Sequence, residues 1–139
     1  MKTQNAQNHA QFVPVFHFGL FSICVASFII AGIHLFGEIT LVSILLFLMA
    51  IALNLSFIFM RFFPLKVQDR AIRSEENLRH YVLTGKLLDP ALTMSQIIAL
   101  RFASDSEFVA LAERAVKESM SSKQIKQAVK QWRADYHRA

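Results

Sequence analysis

The chain has 139 residues, 54% of them hydrophobic, and its 15 Lys and Arg against 10 Asp and Glu give a net charge of +5. A chain of this length has no room for a large soluble core beside two long apolar runs. Its one cysteine, Cys24, excludes an intramolecular disulfide and a cysteine-cluster metal site. Because Cys24 lies among apolar neighbours, we expect it to pack as a small hydrophobic residue.

The chain divides into an apolar half and a charged half. Eleven of the 13 Phe fall in the first 63 residues, whereas 13 of the 15 Lys and Arg fall from Lys66 onward, together with 9 acidic residues. The second half therefore carries a charge of +4, which suits a solvated helical tail beside an anionic membrane surface.

A polar lead at 1–14 precedes two apolar segments at 15–36 and 40–63, whose only charged residue is Arg61. Each segment has the roughly 20 apolar residues that a helix needs to cross a hydrocarbon core of about 30 Å. Because only three residues separate them, the two segments predict a transmembrane helical hairpin. The first segment is too long for a typical signal-peptide core, so we expect a retained anchor.

Small residues recur at a spacing of four in both segments, as Ser22 and Ala26, Ser27 and Ala31, and Ala52 and Ser56. This spacing lets helices approach closely in lipid. The favoured interpretation is that these faces pack the hairpin on itself. The alternative is an interface within the membrane for another protein.

Charged residues around the segments predict the orientation. Arg61, Lys66, Arg70 and Arg73 follow the second segment, whereas the loop between the segments carries only Glu38. Because Lys and Arg favour the cytoplasmic flanks of spans, both termini should be cytoplasmic, at a bacterial inner (cytoplasmic) membrane. The expected membrane-interface residues are Phe16, Phe18, Arg61, Phe62, Phe63 and Lys66. Anionic headgroups should lie near Lys66, Arg70 and Arg73.

Residues 64–90 predict a juxtamembrane stalk helix and a turn. Pro64 should end or kink the second span, and Gly85 is a suitable stop for a helix that runs to about Thr84. Acid–base pairs four residues apart, Asp69 with Arg73 and Glu75 with Arg79, are typical of an exposed helix surface. The adjacent carboxylates Glu75 and Glu76 are interpreted as part of that solvated face.

Residues 91–139 predict a cytoplasmic domain of three short helices. Thr93 with Gln96, Ser104 with Glu107, and Ser121 with Gln124 each match the capping-box pattern. They place helices near 94–103, 105–119 and 122–137. The predicted fold is therefore all-α, with a transmembrane helical hairpin, a stalk helix and a C-terminal cluster of three helices.

No sequence motif indicates an enzyme, and we assign no catalytic residue, cofactor or metal ligand. His17 and His34 lie within the first span, but their separation of 17 residues corresponds to about 25 Å along a helix, so one molecule cannot use both on one haem. Haem or redox binding through either histidine is an alternative function. Tethering of a ribosome or nucleic acid is another, although no dense basic run favours nucleic acid.

The leading hypothesis is a non-catalytic anchor, adaptor or small accessory subunit of a membrane-associated complex. Its protein partner, or a second copy, would meet the span faces or the segment 66–90, which is equally well read as a connector that folds back onto the domain. The candidate contact residues are Arg70, Arg73, Arg79, Tyr81, Leu87, Leu88 and Arg101. Phe102, Trp132 and Arg133 rank second, and core packing is favoured for Trp132.

Several runs of sequence, KVQDRAIRSEENLRHYVLTGKLLDP, IIALRFASDSEF, QAVKQWRADYHR and the opening MKTQNAQNHAQFVPVFH, resemble a family of small two-span membrane proteins of unknown function. The family occurs mainly in Bacteroidota. The resemblance covers almost the whole chain and implies the two-span layout, but it implies no activity and no functional residues.

Overall fold

The computed structural model describes residues 13–135, and every regular element within them is a helix. A short π-helical segment, Val15–Leu20, leads into α1 at Phe21–Gly37. The remaining helices are α2 at Leu41–Thr84, α3 at Met94–Leu100, α4 at Asp105–Lys117 and α5 at Ser122–Ala128. The all-α prediction is confirmed. Most of the polar lead, Tyr136 and His137 lie outside the described residues.

The chain forms two compact units, an N-terminal unit of Gln11–Leu65 and a C-terminal unit from Lys66 onward. In the N-terminal unit the buried residues are all small, namely Cys24, Ala31, Ser43 and Ala50. The amide of Asn54 donates to the carbonyl of Cys24 at 3.1 Å and to that of Ala50 at 2.8 Å. Cys24 therefore packs in the interior, as its apolar neighbours predicted.

Only one of the three small-residue pairs is removed from solvent. Ala31 is buried and Ser27 is half-buried, with its hydroxyl donating to the carbonyl of Cys24 at 2.8 Å. The other two pairs are exposed: Ser22 and Ala26, and Ala52 and Ser56. Packing within the unit thus accounts for one pair, and the other two face outward.

Helix α2 passes through Pro64 without ending. A proline inside a helix removes one backbone donor, and its ring crowds the preceding turn, so the sequence favoured a boundary or a kink there. The helix ends instead at Thr84, where Gly85 adopts a φ of 74° and its N–H donates to the carbonyl of Tyr81 at 2.7 Å. That conformation suits glycine, and the predicted stop is confirmed.

The core of the C-terminal unit joins one face of α2 to α3, α4 and α5. Its buried residues include Ile72 from α2, Leu88 from the following turn, and residues from each of the short helices. The side chain of Asn77 accepts the backbone N–H of Leu88 at 3.2 Å, which holds the turn after Gly85 against α2. This turn carries the chain back into the core.

Two of the three predicted capping boxes form, at Thr93 before α3 and at Ser121 before α5. The box predicted at Ser104 is wrong, because Ser104 makes no side-chain cap on α4. The carboxylate of Glu107 instead accepts the backbone N–H groups of Lys130 at 3.1 Å and Gln131 at 3.0 Å. The Glu107 side chain, which the capping box at Ser104 required, therefore binds backbone groups 23 and 24 residues later in the chain.

The last helix is shorter than predicted, since α5 ends at Ala128 rather than near 137, and the described residues after it are not helical. The segment 129–135 instead pairs with the turn between α3 and α4. The Arg133 N–H donates to the Phe102 carbonyl at 2.7 Å, and the Ser104 N–H donates to the Gln131 carbonyl at 3.2 Å. The ends of α3 and α4, at Leu100 and Lys117, also fall short of the predicted 103 and 119.

The Ser121→Ala substitution should lower the free energy of unfolding by about 1 kcal/mol, because the backbone N–H of Gln124 at the start of α5 loses its side-chain acceptor. Ser104→Ala is the matched control, and it should cost less than half as much. Trp132 is the only tryptophan of the chain, so its fluorescence during urea unfolding of the full chain in detergent measures both variants. Equal losses would show that the Ser121 cap contributes nothing specific.

Candidate functional site

The C-terminal unit encloses a carboxylate at the centre of its charged residues. Glu76 is 4% exposed, although the sequence placed it with Glu75 on a solvated face. That expectation is wrong for Glu76 and holds for Glu75, which is exposed. Glu76 lies one helical turn after the buried Ile72, so both side chains face α3 to α5.

Arg79 neutralises Glu76 and connects α2 with α4. Its Nη1 lies 3.0 Å from a Glu76 carboxylate oxygen, and its Nε lies 2.6 Å from Asp105 Oδ1. Its Nη2 donates to the carbonyl of Ala103 at 2.7 Å, and its guanidinium stacks over the ring of Phe108 at 4.2 Å. The ion pair thus joins Glu76 with Arg79, three residues on, and not Glu75 with Arg79.

A second arginine, Arg101, is buried at the end of α3. Its Nη1 lies 3.1 Å from Asp135 Oδ2, and its guanidinium lies 4.7 Å from the centre of the Phe102 ring. Trp132 stacks on Phe102 with ring centres 4.4 Å apart and an angle of 14° between the planes. Core packing of Trp132, the favoured interpretation, agrees with this contact.

The surroundings of Glu76 change its acidity. Burial, the largest cause, raises the pKa of its carboxyl above the ordinary value of 4.5, and the negative charge of Glu75 adds to the increase. The hydrogen bond from Arg79 and the positive charges of Arg79 and Arg133 act in the opposite direction. The net result is a raised pKa, because loss of hydration outweighs the attraction.

A cleft of about 340 Å³ opens beside this cluster, between Glu76, Arg101, Arg133 and Asp135. The Arg133 guanidinium lies 3.8 Å from Glu76 and is half exposed. The buried charged groups at the cleft, Glu76 and Arg101, each have an oppositely charged neighbour, which is typical of an ion-pair network that holds elements together. Across residues 13–135, no three His, Cys, Asp or Glu side chains come together as metal ligands would.

From the sequence alone, two members of this network were missed, Asp105 and Asp135, and Arg133 was named only as a second-rank contact residue. Glu76 itself was assigned to the wrong face. The available signal was the spacing of Ile72, Glu76 and Arg79, which share one helix face. A charged residue on an apolar stripe predicts a buried ion-pair network only when its distant partners are known, and here Asp105 follows Arg79 by 26 residues and Arg133 follows Glu76 by 57.

The structure separates the predicted contact residues into two groups. Leu88 and Arg101 are buried, and the side chain of Arg79 is only 11% exposed. The exposed group comprises Arg70, Arg73, Tyr81 and Leu87. Phe102 is fully buried. Only the exposed group is accessible to a partner in this conformation.

The predicted membrane-interface residues lie at or near the outer ends of the two apolar segments, and Arg61 to Lys66 fall in the middle of α2. Phe18, Phe62, Phe63 and Lys66 are exposed, and Arg61 is half-buried. Phe16 stacks on Phe57 with ring centres 4.8 Å apart. Of the two histidines in this unit, His34 is exposed, and His17 places Nδ1 2.9 Å from the carbonyl of Val13.

The model of a protein family described as "Family of unknown function (DUF6526)" matches residues 1–139. The predicted resemblance to a family of unknown function is confirmed to that extent. No curated protein and no solved structure matches the chain.

Replacing Arg79 by methionine should lower the free energy of unfolding by about 3 kcal/mol, because the buried Glu76 carboxyl would lose its closest partner. Arg73→Met removes an exposed arginine from the same helix, and it should change the stability by less than about 0.5 kcal/mol. Urea unfolding followed by Trp132 fluorescence compares the two variants. A similar, small effect of both substitutions would contradict the structural role of Arg79.

The raised pKa of Glu76 predicts a pH dependence of stability. Between 4.5 and the raised value, the folded chain retains a proton that the unfolded chain releases, so the contribution of this carboxyl is largest below pH 4.5 and falls as the pH rises through the window. Glu76→Gln removes the titration. The unfolding free energy of the wild type minus that of Glu76→Gln should therefore decrease with rising pH, and a difference that increases would contradict the shift.

Proposed function

The chain belongs to the DUF6526 family, whose description assigns no activity, and we propose that it is a non-catalytic integral membrane protein. In this proposal it acts as an anchor, adaptor or small accessory subunit of a membrane-associated complex. Its two apolar segments cross a bacterial inner membrane, and its basic helical tail lies in the cytoplasm.

The observation that carries the proposal is the outward orientation of apolar side chains on two long helices. The stretches Val15–Gly37 and Leu41–Thr84 are each long and apolar enough to cross a membrane, and only 11% of each apolar window is buried. Phe36, Leu41 and Val15 are each at least 75% exposed. Contiguous apolar surface of this extent is rare on proteins in water, and lipid would cover it.

Contacts within the N-terminal unit support a hairpin. Phe16 contacts Phe57, and Phe28 contacts Phe47 at 5.2 Å between ring centres, so later residues of the first segment meet earlier residues of the second. The polar side chain of Asn54 is satisfied by carbonyls of both helices. A polar group that finds its partners inside a helix pair is compatible with hydrocarbon around that pair.

The distribution of charged residues around the two apolar segments supports the proposed orientation in the membrane. Arg61, Lys66, Arg70 and Arg73 follow the second apolar segment, and the loop between the segments carries Glu38 alone. Basic residues within about 15–20 positions of a span favour the cytoplasmic side. The proposed spans end near Phe63, so the remaining part of α2 and all of α3 to α5 belong to the cytoplasmic region.

The charged network of the C-terminal unit supports a structural role for its buried groups. Arg79 and Glu76 pair with each other, and Arg101 pairs with Asp135. Contact with a partner would then use the exposed residues Arg70, Arg73, Tyr81 and Leu87.

Site-specific labelling tests the anchor and its orientation. In a Cys24→Ala background expressed in a bacterium, a membrane-impermeant maleimide should react with Ile39→Cys in intact spheroplasts. Lys123→Cys, the matched control, should react only after the membrane is opened. The protein should stay in the pellet after alkaline carbonate extraction. Release by carbonate, or labelling of Lys123→Cys in intact spheroplasts, would contradict the proposal.

Purification in mild detergent tests the adaptor role on the same protein. We expect a stoichiometric partner or a defined homo-oligomer, and a monomer that retains nothing would contradict the role. A Soret absorbance band would instead favour haem binding through His17 or His34. Salt-sensitive co-sedimentation with ribosomes would favour the tethering alternative.

A further inference from the structure

Helix α2 presents two different faces within the C-terminal unit. Ile72 and Glu76 are buried toward α3, α4 and α5. The opposite face carries exposed apolar side chains: Val67 is 67% exposed, Leu78 is 63% exposed and Tyr81 is 54% exposed. No helix among the described residues covers this second face.

The exposed face follows a heptad repeat. Its central residues are separated by four, three, four and three positions, and we name this row the α2 seam: Val67, Ala71, Ser74, Leu78 and Tyr81. This spacing keeps side chains in line when two helices supercoil around each other. If Ala71 and Leu78 are a positions, then Ile72, Glu76 and Arg79 fall at b and f, on the side that the C-terminal unit already covers.

We propose that the α2 seam binds the α2 seam of a second copy of this chain, in a parallel coiled-coil dimer. The partner is thus the same surface related by a two-fold axis. Such an interface is self-complementary, so each residue of the row meets its own counterpart or a near neighbour.

Charges beside the seam fit a second copy in parallel orientation. In the same register Arg70 is a g position and Glu75 is the e position five residues later, and both are exposed. In a parallel dimer, a g residue lies beside the following e residue of the other helix, so Arg70 of each copy faces Glu75 of the other. The symmetry creates this ion pair twice.

The membrane adds the stabilisation that a seam of this length lacks. A coiled coil of about two heptads is marginal in water, but two chains held in one bilayer with the same orientation meet at a high effective concentration and cannot become antiparallel. This inference therefore rests on the proposed membrane anchor.

Disulfide crosslinking in membranes tests the seam. In the Cys24→Ala background, Ala71→Cys and Leu78→Cys should each give a crosslinked dimer under mild oxidation, because facing core positions fall within the Cα separation of about 4.4–6.8 Å that a disulfide spans. Arg73→Cys is the matched control, since it is exposed on the same helix but at a c position. It should crosslink at most about one fifth as much.

Charge reversal gives an independent test. In the Leu78→Cys protein, Arg70→Glu or Glu75→Arg alone should lower the crosslinked fraction about fivefold, because each creates two like-charge contacts. The double variant restores opposite charges and should recover most of the crosslinking. A membrane-associated protein in which Arg73→Cys crosslinks as well as Leu78→Cys, or in which the double variant is no better than the singles, would overturn the dimer.

Two further readouts separate this inference from the proposed function. Carbonate extraction of the same samples reports the anchor, so a retained protein without crosslinks overturns the seam alone, whereas an extracted protein with seam crosslinks overturns the anchor alone. Co-expression of two differently tagged copies should place both tags in the crosslinked band. A crosslinked band that contains one tag and a foreign protein would also overturn the homodimer.

Discussion

The C-terminal unit depends on the contacts that the Arg79 guanidinium makes. This guanidinium meets Glu76 on its own helix, Asp105 at the start of α4, the carbonyl of Ala103 and the ring of Phe108. A buried carboxylate alone would be costly, and the pair repays that cost only because each polar atom of the guanidinium has a partner. The same contacts fix which face of α2 turns inward, and so which face is left to solvent or to another chain.

Local features of the fold follow from the sequence, and long-range ones do not. The helix starts at Thr93 and Ser121 and the stop at Gly85 depend on residues within four positions, so they were predictable. The end of α5 depends instead on Glu107, which binds backbone groups 23 and 24 residues later. A capping pattern cannot show that its glutamate has a competing partner from another segment.

The ion pairs of the candidate site also could not be predicted from local spacing. Spacing alone placed Arg79 with Glu75, because a separation of four residues is favourable on an exposed helix. In the structure Arg79 pairs with Glu76 instead, since Glu76 faces the core and Glu75 does not. Likewise Pro64 was a reasonable boundary by backbone chemistry, yet α2 tolerates the loss of one donor within a helix of 44 residues.

The pairing of segment 129–135 with the turn after α3 has a consequence for biosynthesis. Phe102, Ser104 and Glu107 obtain their backbone partners from Lys130, Gln131 and Arg133, which are translated after all five α-helices. Both apolar segments are synthesised before those partners. The C-terminal unit therefore cannot complete its fold until residues 130–133 have been synthesised, which places the last step of its folding after the synthesis of both apolar segments.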